Sequence, residues 1–386
     1  MNIEPALTAL AAALHGEGPA VELSAGPDGE PVVTPVPTPG FEDAVAVVRT
    51  SGSTGTPKAT VLTVDALAAS SMATAFALKG EGQWLLALPL QYVAGVQVLV
   101  RSLFAGTRPW AMDLSGGFTA EAFTAAALEL TDKIRFTSLV PAQLQRLLAD
   151  PSADTLAVLR RFNGILLGGA PASAELLQSA REAGLRVVTT YGAAETCGGC
   201  VYDGYPLEGV ALRLAEDGRI HLGGSTLAAG YLGAPRQTAE AFVEEDGSRW
   251  YRTNDLGTLD ADGRLTVLGR ADDVIITGGV KVSAAHVQAE LEKSDGVTAA
   301  FVAGVESAKW GQAVAAYVAV AGTASGPAGA GGAARDGAAW AEEWHRTLGL
   351  LAPKTVLPAG ELIMLPNGKP DRLAMIERLN ALHQGK

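Results

Sequence analysis

The chain has 386 residues, 48% of them apolar, and a formal net charge of −12. That length supports a sizeable core and favours two domains, while the acidic balance argues against a nucleic-acid-binding surface, which needs a basic face. Two cysteines in so long a chain argue against a disulfide framework and point to a reducing compartment.

The opening stretch MNIEPALTALAAALHGEG lacks the basic region of a signal peptide and reads as a short amphipathic helix. Short β-branched runs then alternate with Ala/Leu-rich stretches. Strands are expected over residues 43–49, 83–89, 135–140, 164–167 and 186–190. Helices are expected over 65–78, 120–130, 141–149 and 172–183. This alternation predicts an α/β fold in which a sheet has covered faces. The most apolar stretch, Trp84 to Val100, is slightly short for a membrane span, and Pro89, Gln91, Gly95 and Gln97 interrupt it. Buried strand, loop and helix are expected there, in a soluble cytoplasmic protein.

From about Gly209 to Gly269 the texture changes to short strands punctuated by Asp-Gly pairs, which signal hairpins and a β-rich subdomain. A second mixed segment follows, with a helix over 284–293, strands near 299–305 and 313–320, and a helix around 338–348. Within it, residues 321–337 are low in complexity and read as a surface loop without assigned function.

Several stretches carry chemistry. In VVRTSGSTGTPKATVLT (residues 47–63), an apolar run gives way to hydroxyl residues and glycines, then closes on Lys58. Backbone N–H groups freed by glycines form an anion-binding concavity that suits phosphates, although such a loop also serves as a plain linker. The spacing is not that of a Walker A loop. TTYGAAET (residues 189–196) offers Tyr191 to stack on a flat base and Glu195 to hold a divalent cation. YRTNDLG places Asp255 where a carboxylate could accept from two ribose hydroxyls. LGRADDVIITGG carries Arg270, an acidic pair and a Gly-Gly, and LPNGKPDR presents Lys369 on a turn near the C-terminus. Cys197 and Cys200 form a lone C-x₂-C, which reads as buried thiols rather than zinc ligands.

In this order the motifs resemble the signatures of the adenylate-forming superfamily of acyl-CoA synthetases, peptide-synthetase adenylation domains and luciferases. The resemblance covers nearly the whole chain from Val47 to Arg372. It implies an enzyme that activates a carboxylate with ATP and Mg²⁺ and passes the acyl group to a thiol, with coenzyme A as co-substrate. By resemblance, Thr50, Ser51, Gly52, Ser53, Thr54, Gly55 and Lys58 hold the β,γ-phosphates. Tyr191 and Gly192, with Gly168, Gly169 and Ala170, form the adenine pocket, Glu195 binds Mg²⁺ and Asp255 binds the ribose. Arg270 contacts ribose or phosphate, and Lys369 is the catalytic lysine that bridges carboxylate and α-phosphate. The expected domains are 1–270, a truncated α/β subdomain plus a β-rich subdomain, and 271–386, a small mobile α+β domain pivoting at Asp272. Gly278 and Gly279 would approach the pantetheine channel.

Departures from the family pattern are Ala59 and Asn254, where glycines are usual, Ala194, where threonine is usual, and the absence of a histidine near Tyr92. None removes a charged catalytic group. Fewer residues precede the phosphate loop than in typical members, so part of the usual N-terminal subdomain is expected to be missing. Together with the pocket motifs, this shortness resembles members acting on an aromatic acid with a second carboxylate. Burying that charge unpaired is expensive, so a cation or several donors are expected, and Arg101 is the candidate, against the alternative of a solvent-facing arginine at a helix end. Gln91, Gly95, Thr196, Gly198 and Gly199 are expected to shape the acid pocket. Rival readings are a ligase for another aromatic or aliphatic acid, or an enzyme that loads a carrier protein. A silent nucleotide-binding relative is a third, disfavoured by the retained charged residues. Partners are therefore small molecules, with no nucleic acid and no membrane insertion, and the family often forms homodimers.

Overall fold

A computed structural model describes residues 1–26, 29–50, 57–320, 337–365 and 370–384. The chain divides into two compact units. The first comprises residues 1–215, 221–253 and 259–265, the second 216–220, 254–258 and 266–386.

The first unit contains a seven-stranded sheet in which five successive strands are parallel: Val187–Ala193, Gly164–Leu167, Arg135–Leu139, Gln83–Leu86 and, at one edge, Trp110–Ala111. Gly198–Tyr202 and then Tyr205–Pro206, at the other edge, extend it in antiparallel pairing. Strand side chains alternate between faces, so Trp84, Leu86 and Leu166 join one core, while Leu85, Ile165 and Leu167 join another. Helices Glu4–Leu14, Val64–Leu78 and Val93–Phe104 cover the first face. Ala120–Leu128, Pro141–Ala149, Ala153–Arg160 and Ala174–Glu182 cover the second. The near-continuous apolar strands follow from burial on both sides. The apolar stretch from Trp84 resolves into a strand ending at Leu86, a loop, and the helix Val93–Phe104. Among the described residues no helix is long and apolar enough to cross a membrane.

A second sheet of this unit orders Gly230–Tyr231, Lys58–Thr63, Ala44–Thr50, Val21–Ala25 and Pro31–Pro35. Within it Thr50 pairs with Lys58 across the antiparallel strands that flank the hydroxyl-rich loop. The β-rich stretch forms a sheet of Val210–Leu214, Arg219–Gly224, Ser248–Leu259 and Phe242–Glu245, with Leu265–Arg270 paired to Ser248–Leu259. Its Asp246-Gly247 pair has positive φ at both residues, 51° and 72°, and links Glu245 to Ser248 in a two-residue hairpin, as the sequence predicts.

The second unit builds a sheet of Val280–Ser283, Val274–Thr277, Gly311–Val320 and Val297–Ser307, with Thr355–Ala359 parallel to Gly311–Val320. Trp340, Trp344 and Val287 pack on one face, and Met375 and Leu379 of the helix Arg372–Gln384 on the other. The helix expected over 338–348 is Gly337–Leu348, so the low-complexity stretch is shorter by one residue than expected. Residues 321–336 of that stretch lie outside the described residues.

Candidate active site

The nucleotide motifs of the first unit gather at the carboxyl ends of the parallel strands, where α/β sheets place their ligands. Gly168, Gly169 and Ala170 follow the strand Gly164–Leu167, and Tyr191 and Gly192 lie near the end of Val187–Ala193. Gly192 sits so close to the neighbouring strand that an added Cβ would lie 2.1 Å from the Gly198 carbonyl oxygen. Only glycine permits that approach. It brings Gly192 beside Gly199 and Ala193 beside Gly198, so residues expected in the adenine pocket and in the acid pocket lie on neighbouring strands.

Glu195 follows in a 3₁₀ turn, Ala194–Thr196, and is buried. The Thr196 hydroxyl accepts from the Ala193 N–H at 2.9 Å and donates to the Gly198 carbonyl at 2.8 Å, so it fixes the turn. The Glu195 carboxylate accepts at Oε1 from the Tyr231 hydroxyl at 2.7 Å. Lys58 Nζ in turn donates to the Tyr231 oxygen at 3.5 Å. Burial, and next the nearby Glu195 charge, push the Tyr231 phenol up, which keeps it a neutral donor. Among the described residues no group of three or more His, Cys, Asp or Glu could hold a metal. One buried carboxylate with an oxygen to spare still suits Mg²⁺, which takes most of its ligands from water and phosphate. Ser51, Gly52, Ser53, Thr54 and Gly55 of the phosphate loop lie outside the described residues; their flanks, Thr50 and Lys58, are placed.

The acid-pocket candidates follow the helix Val93–Phe104. Gly95 lies against the Pro89 carbonyl, 2.4 Å from where its Cβ would be. Gln97 donates to the Cys197 carbonyl and, at 3.1 Å, to Ser70 Oγ. One turn further, Arg101 is only 7% exposed, which removes the solvent-facing alternative. Its guanidinium lies 5.1 Å from the Trp84 ring centroid and bonds to Tyr202, whose hydroxyl pairs with Thr74 Oγ1 at 3.0 Å. No carboxylate pairs with it among the described residues; Glu81 borders the same small cavity without reaching ion-pair distance. Burial accordingly lowers the Arg101 pKa. Buried polar atoms without a partner in this region are Gln91 Oε1, Gln97 Oε1, Ser71 Oγ and Arg101 Nε, of which Ser71 and Arg101 line the small cavity. Such orphans mark places where a ligand or water completes the bonding. Cys197 and Cys200 are fully buried, and burial pushes both thiols up, Cys200 to about 12, so neither is a reactive thiolate.

The second unit holds the remaining candidates. Arg270 grips Asp272 through two bonds, Nε to Oδ1 and Nη2 to Oδ2, each 2.8 Å, and its Nη1 lies 3.8 Å from Asp255 Oδ1. Asp255, the expected ribose-binding aspartate, and Arg270 are therefore neighbours. Asn254, which replaces a glycine, accepts from Arg219 Nη1 at 2.8 Å. Gly278 and Gly279, with φ of 55° and 82°, form the two-residue turn between Val274–Thr277 and Val280–Ser283, a conformation that favours glycine at both positions. Lys369 lies outside the described residues. Among its described neighbours in sequence, Met364 bridges Pro370 and Arg372 pairs with Asp273.

Sequence reasoning missed Tyr231, Gln97, Ser70 and Tyr202. Tyr231 lies in AAGYLG, 173 residues from Lys58, and only the pairing of Gly230–Tyr231 with Thr60–Val61 joins them. The polar residues Ser70, Thr74 and Gln97 at helical spacing within apolar helices were the available signal for a lined pocket.

The AMP-binding enzyme family is matched over residues 6–232. The chain is 45% identical over 281 residues to the probable 2-succinylbenzoate–CoA ligase of Mycobacterium tuberculosis, covering 72% of each chain. It is 31% identical over 301 residues to the 2-succinylbenzoate–CoA ligase of a Geobacillus species, covering 72% of this chain and 59% of that one. Among solved structures, the o-succinylbenzoate CoA synthetase of Bacillus subtilis in complex with its acyl-adenylate intermediate superposes with a TM-score of 0.71 at 25% identity, covering 90% of this chain and 72% of the other. ATP-bound MatB from Rhodopseudomonas palustris gives 0.75 at 24% identity, covering 93% and 74%, a likeness of fold. The chain belongs to the AMP-binding enzyme family.

Proposed function

We propose that this chain is an acid–thiol ligase that adenylates 2-succinylbenzoate with ATP and transfers the acyl group to coenzyme A. The products would be 2-succinylbenzoyl-CoA, AMP and pyrophosphate, in menaquinone biosynthesis and in the cytoplasm. The family supports the adenylation chemistry, and the names of the relatives support the acid. The single observation that supports the choice of acid is Arg101, a buried cation without a carboxylate partner among the described residues, whose Nε has no hydrogen-bond partner. An acid with a second carboxylate would supply what Arg101 lacks.

In this reading the acid's reacting carboxylate attacks the α-phosphorus and pyrophosphate leaves. The approach of two anions makes charge stabilisation the dominant need. Lys58 and the loop from Thr50 hold the β,γ-phosphates, Tyr191 and Gly168–Ala170 hold adenine, and Asp255 holds the ribose. Arg270 and Lys369 stabilise the charge around the α-phosphate. Glu195 would hold Mg²⁺, which supplies charge neutralisation at the phosphates. The thiol of coenzyme A then attacks the acyl carbonyl and AMP leaves. We assign 1–270 and 271–386 as the two working domains, with Asp272 as pivot and Gly278–Gly279 beside the pantetheine in the second step. Incubating the purified chain with ATP, Mg²⁺, coenzyme A and 2-succinylbenzoate, then analysing products by mass, tests the reading. We expect the CoA thioester and AMP in equal amounts. Thioester from another acid, and none from this one, would keep the chemistry and overturn the substrate.

A further inference from the structure

We infer that Tyr231 is a positioning residue for adenylation, whose hydroxyl ties Lys58 to Glu195 and so fixes the carboxylate that would hold Mg²⁺. The inference rests on the reading of Glu195 and Lys58 given above. It adds a residue from outside every motif used there.

Tyr231 is 1% exposed, and its place is fixed on all sides. Its strand pairs antiparallel with Lys58–Thr63, with Tyr231 opposite Thr60, two residues beyond Lys58. Its N–H donates to Thr238 Oγ1 at 2.9 Å, and the ring meets Phe242 edge-on at 5.8 Å. The Ala228 N–H, three residues earlier, donates to the Glu195 backbone carbonyl at 2.9 Å. The same short segment therefore holds Glu195 by its backbone and, through Tyr231, by its side chain.

A buried tyrosine hydroxyl normally finds some partner, so burial alone would mean only packing. Here two of the partners are charged groups from separate motifs, and the Tyr251 side chain is a third. Lys58 Nζ also lies 4.8 Å from the Tyr231 ring centroid, so ring and hydroxyl together hold the ammonium. No ion pair joins Lys58 directly to Glu195 among the described residues. A direct pair would compete with phosphate for the lysine and with the metal for the carboxylate. The phenol stands between them, linked to both, and leaves each charge available to a ligand. Partners that orient a metal-holding carboxylate commonly change metal affinity by roughly 10–100-fold when removed.

The test is binding of manganous ATP to the intact chain without acid substrate, read by the electron paramagnetic resonance of free Mn²⁺. Tyr231→Phe keeps the ring and its packing and removes the hydroxyl. We expect it to weaken Mn²⁺–ATP binding at least about tenfold, with the melting temperature nearly unchanged. ATP binding without metal should weaken far less. Glu195→Gln serves as the control for the underlying reading. Should Glu195→Gln bind manganous ATP like the wild type, the role of Glu195 fails and the inference with it. Should Glu195→Gln weaken binding while Tyr231→Phe does not, the inference alone is overturned, and a lower melting temperature with intact metal affinity would likewise reduce Tyr231 to packing.

Discussion

Arg101 is the residue on which the choice of acid turns. A buried cation without a carboxylate costs stability in the free protein and gains its partner only with the ligand. Arg101→Met should therefore leave the melting temperature of the free protein equal or higher, since Thr74 and Tyr202 keep each other as partners. The same change should raise KM for 2-succinylbenzoate by roughly 10–100-fold, the worth of a charge-assisted hydrogen bond. Steady-state kinetics on the dicarboxylic acid and on benzoate would check it, because the monocarboxylic acid should be indifferent to the change. At this scale the charged residues of each motif are legible in the sequence, because their chemistry demands specific types at specific spacings. Tyr231 and Tyr202 are not legible, because only strand pairing and helix packing bring them to their partners.

Glycine placement decides two of the element contacts. At Gly192 a side chain would meet backbone on the facing strand, which cannot yield as a flexible side chain could. Gly192→Ala should cost about 1–3 kcal/mol, seen as a shifted denaturation midpoint, with adenylation impaired because Tyr191 lies in the displaced strand and Glu195 follows it directly. In the Gly278–Gly279 turn both φ values are positive, but only Gly278 also faces an obstacle, the Trp310 ring 2.9 Å from its would-be Cβ. Gly278→Ala should destabilise more than Gly279→Ala, whose cost is the backbone strain alone, about 1–2 kcal/mol; equal costs by equilibrium unfolding would contradict this. The alternating strands and helices of the first unit are legible because strands buried on both faces are nearly pure apolar runs, as in Gly164–Leu167. The helix Ala153–Arg160 goes unread, being eight residues long with only a Ser152 cap to announce it. The strands Val21–Ala25 and Pro31–Pro35 are short, and the second, at the sheet edge, is largely exposed, so their pattern is faint.

The whole molecule consists of two compact units that divide the proposed chemistry between them. Lys58, Tyr231, Glu195 and Arg101 belong to the first, and Asp255, Arg270 and Asp272 to the second, whereas the proposed working boundary at 270 keeps Asp255 and Arg270 with the first domain. If Asp272 is the pivot, replacing it with proline, which fixes φ, should slow thioester formation more than adenylation, by at least about tenfold in single-turnover rates. Equal slowing of both steps would instead point to loss of the Arg270–Asp272 grip. The most direct measurement of all is ATP–pyrophosphate exchange with 2-succinylbenzoate, benzoate, a fatty acid and an amino acid offered in turn. We expect exchange with 2-succinylbenzoate alone, abolished in Lys369→Ala and sharply weakened in Arg101→Met. Exchange driven equally by benzoate, and indifferent to Arg101, would contradict a pocket built around a second carboxylate.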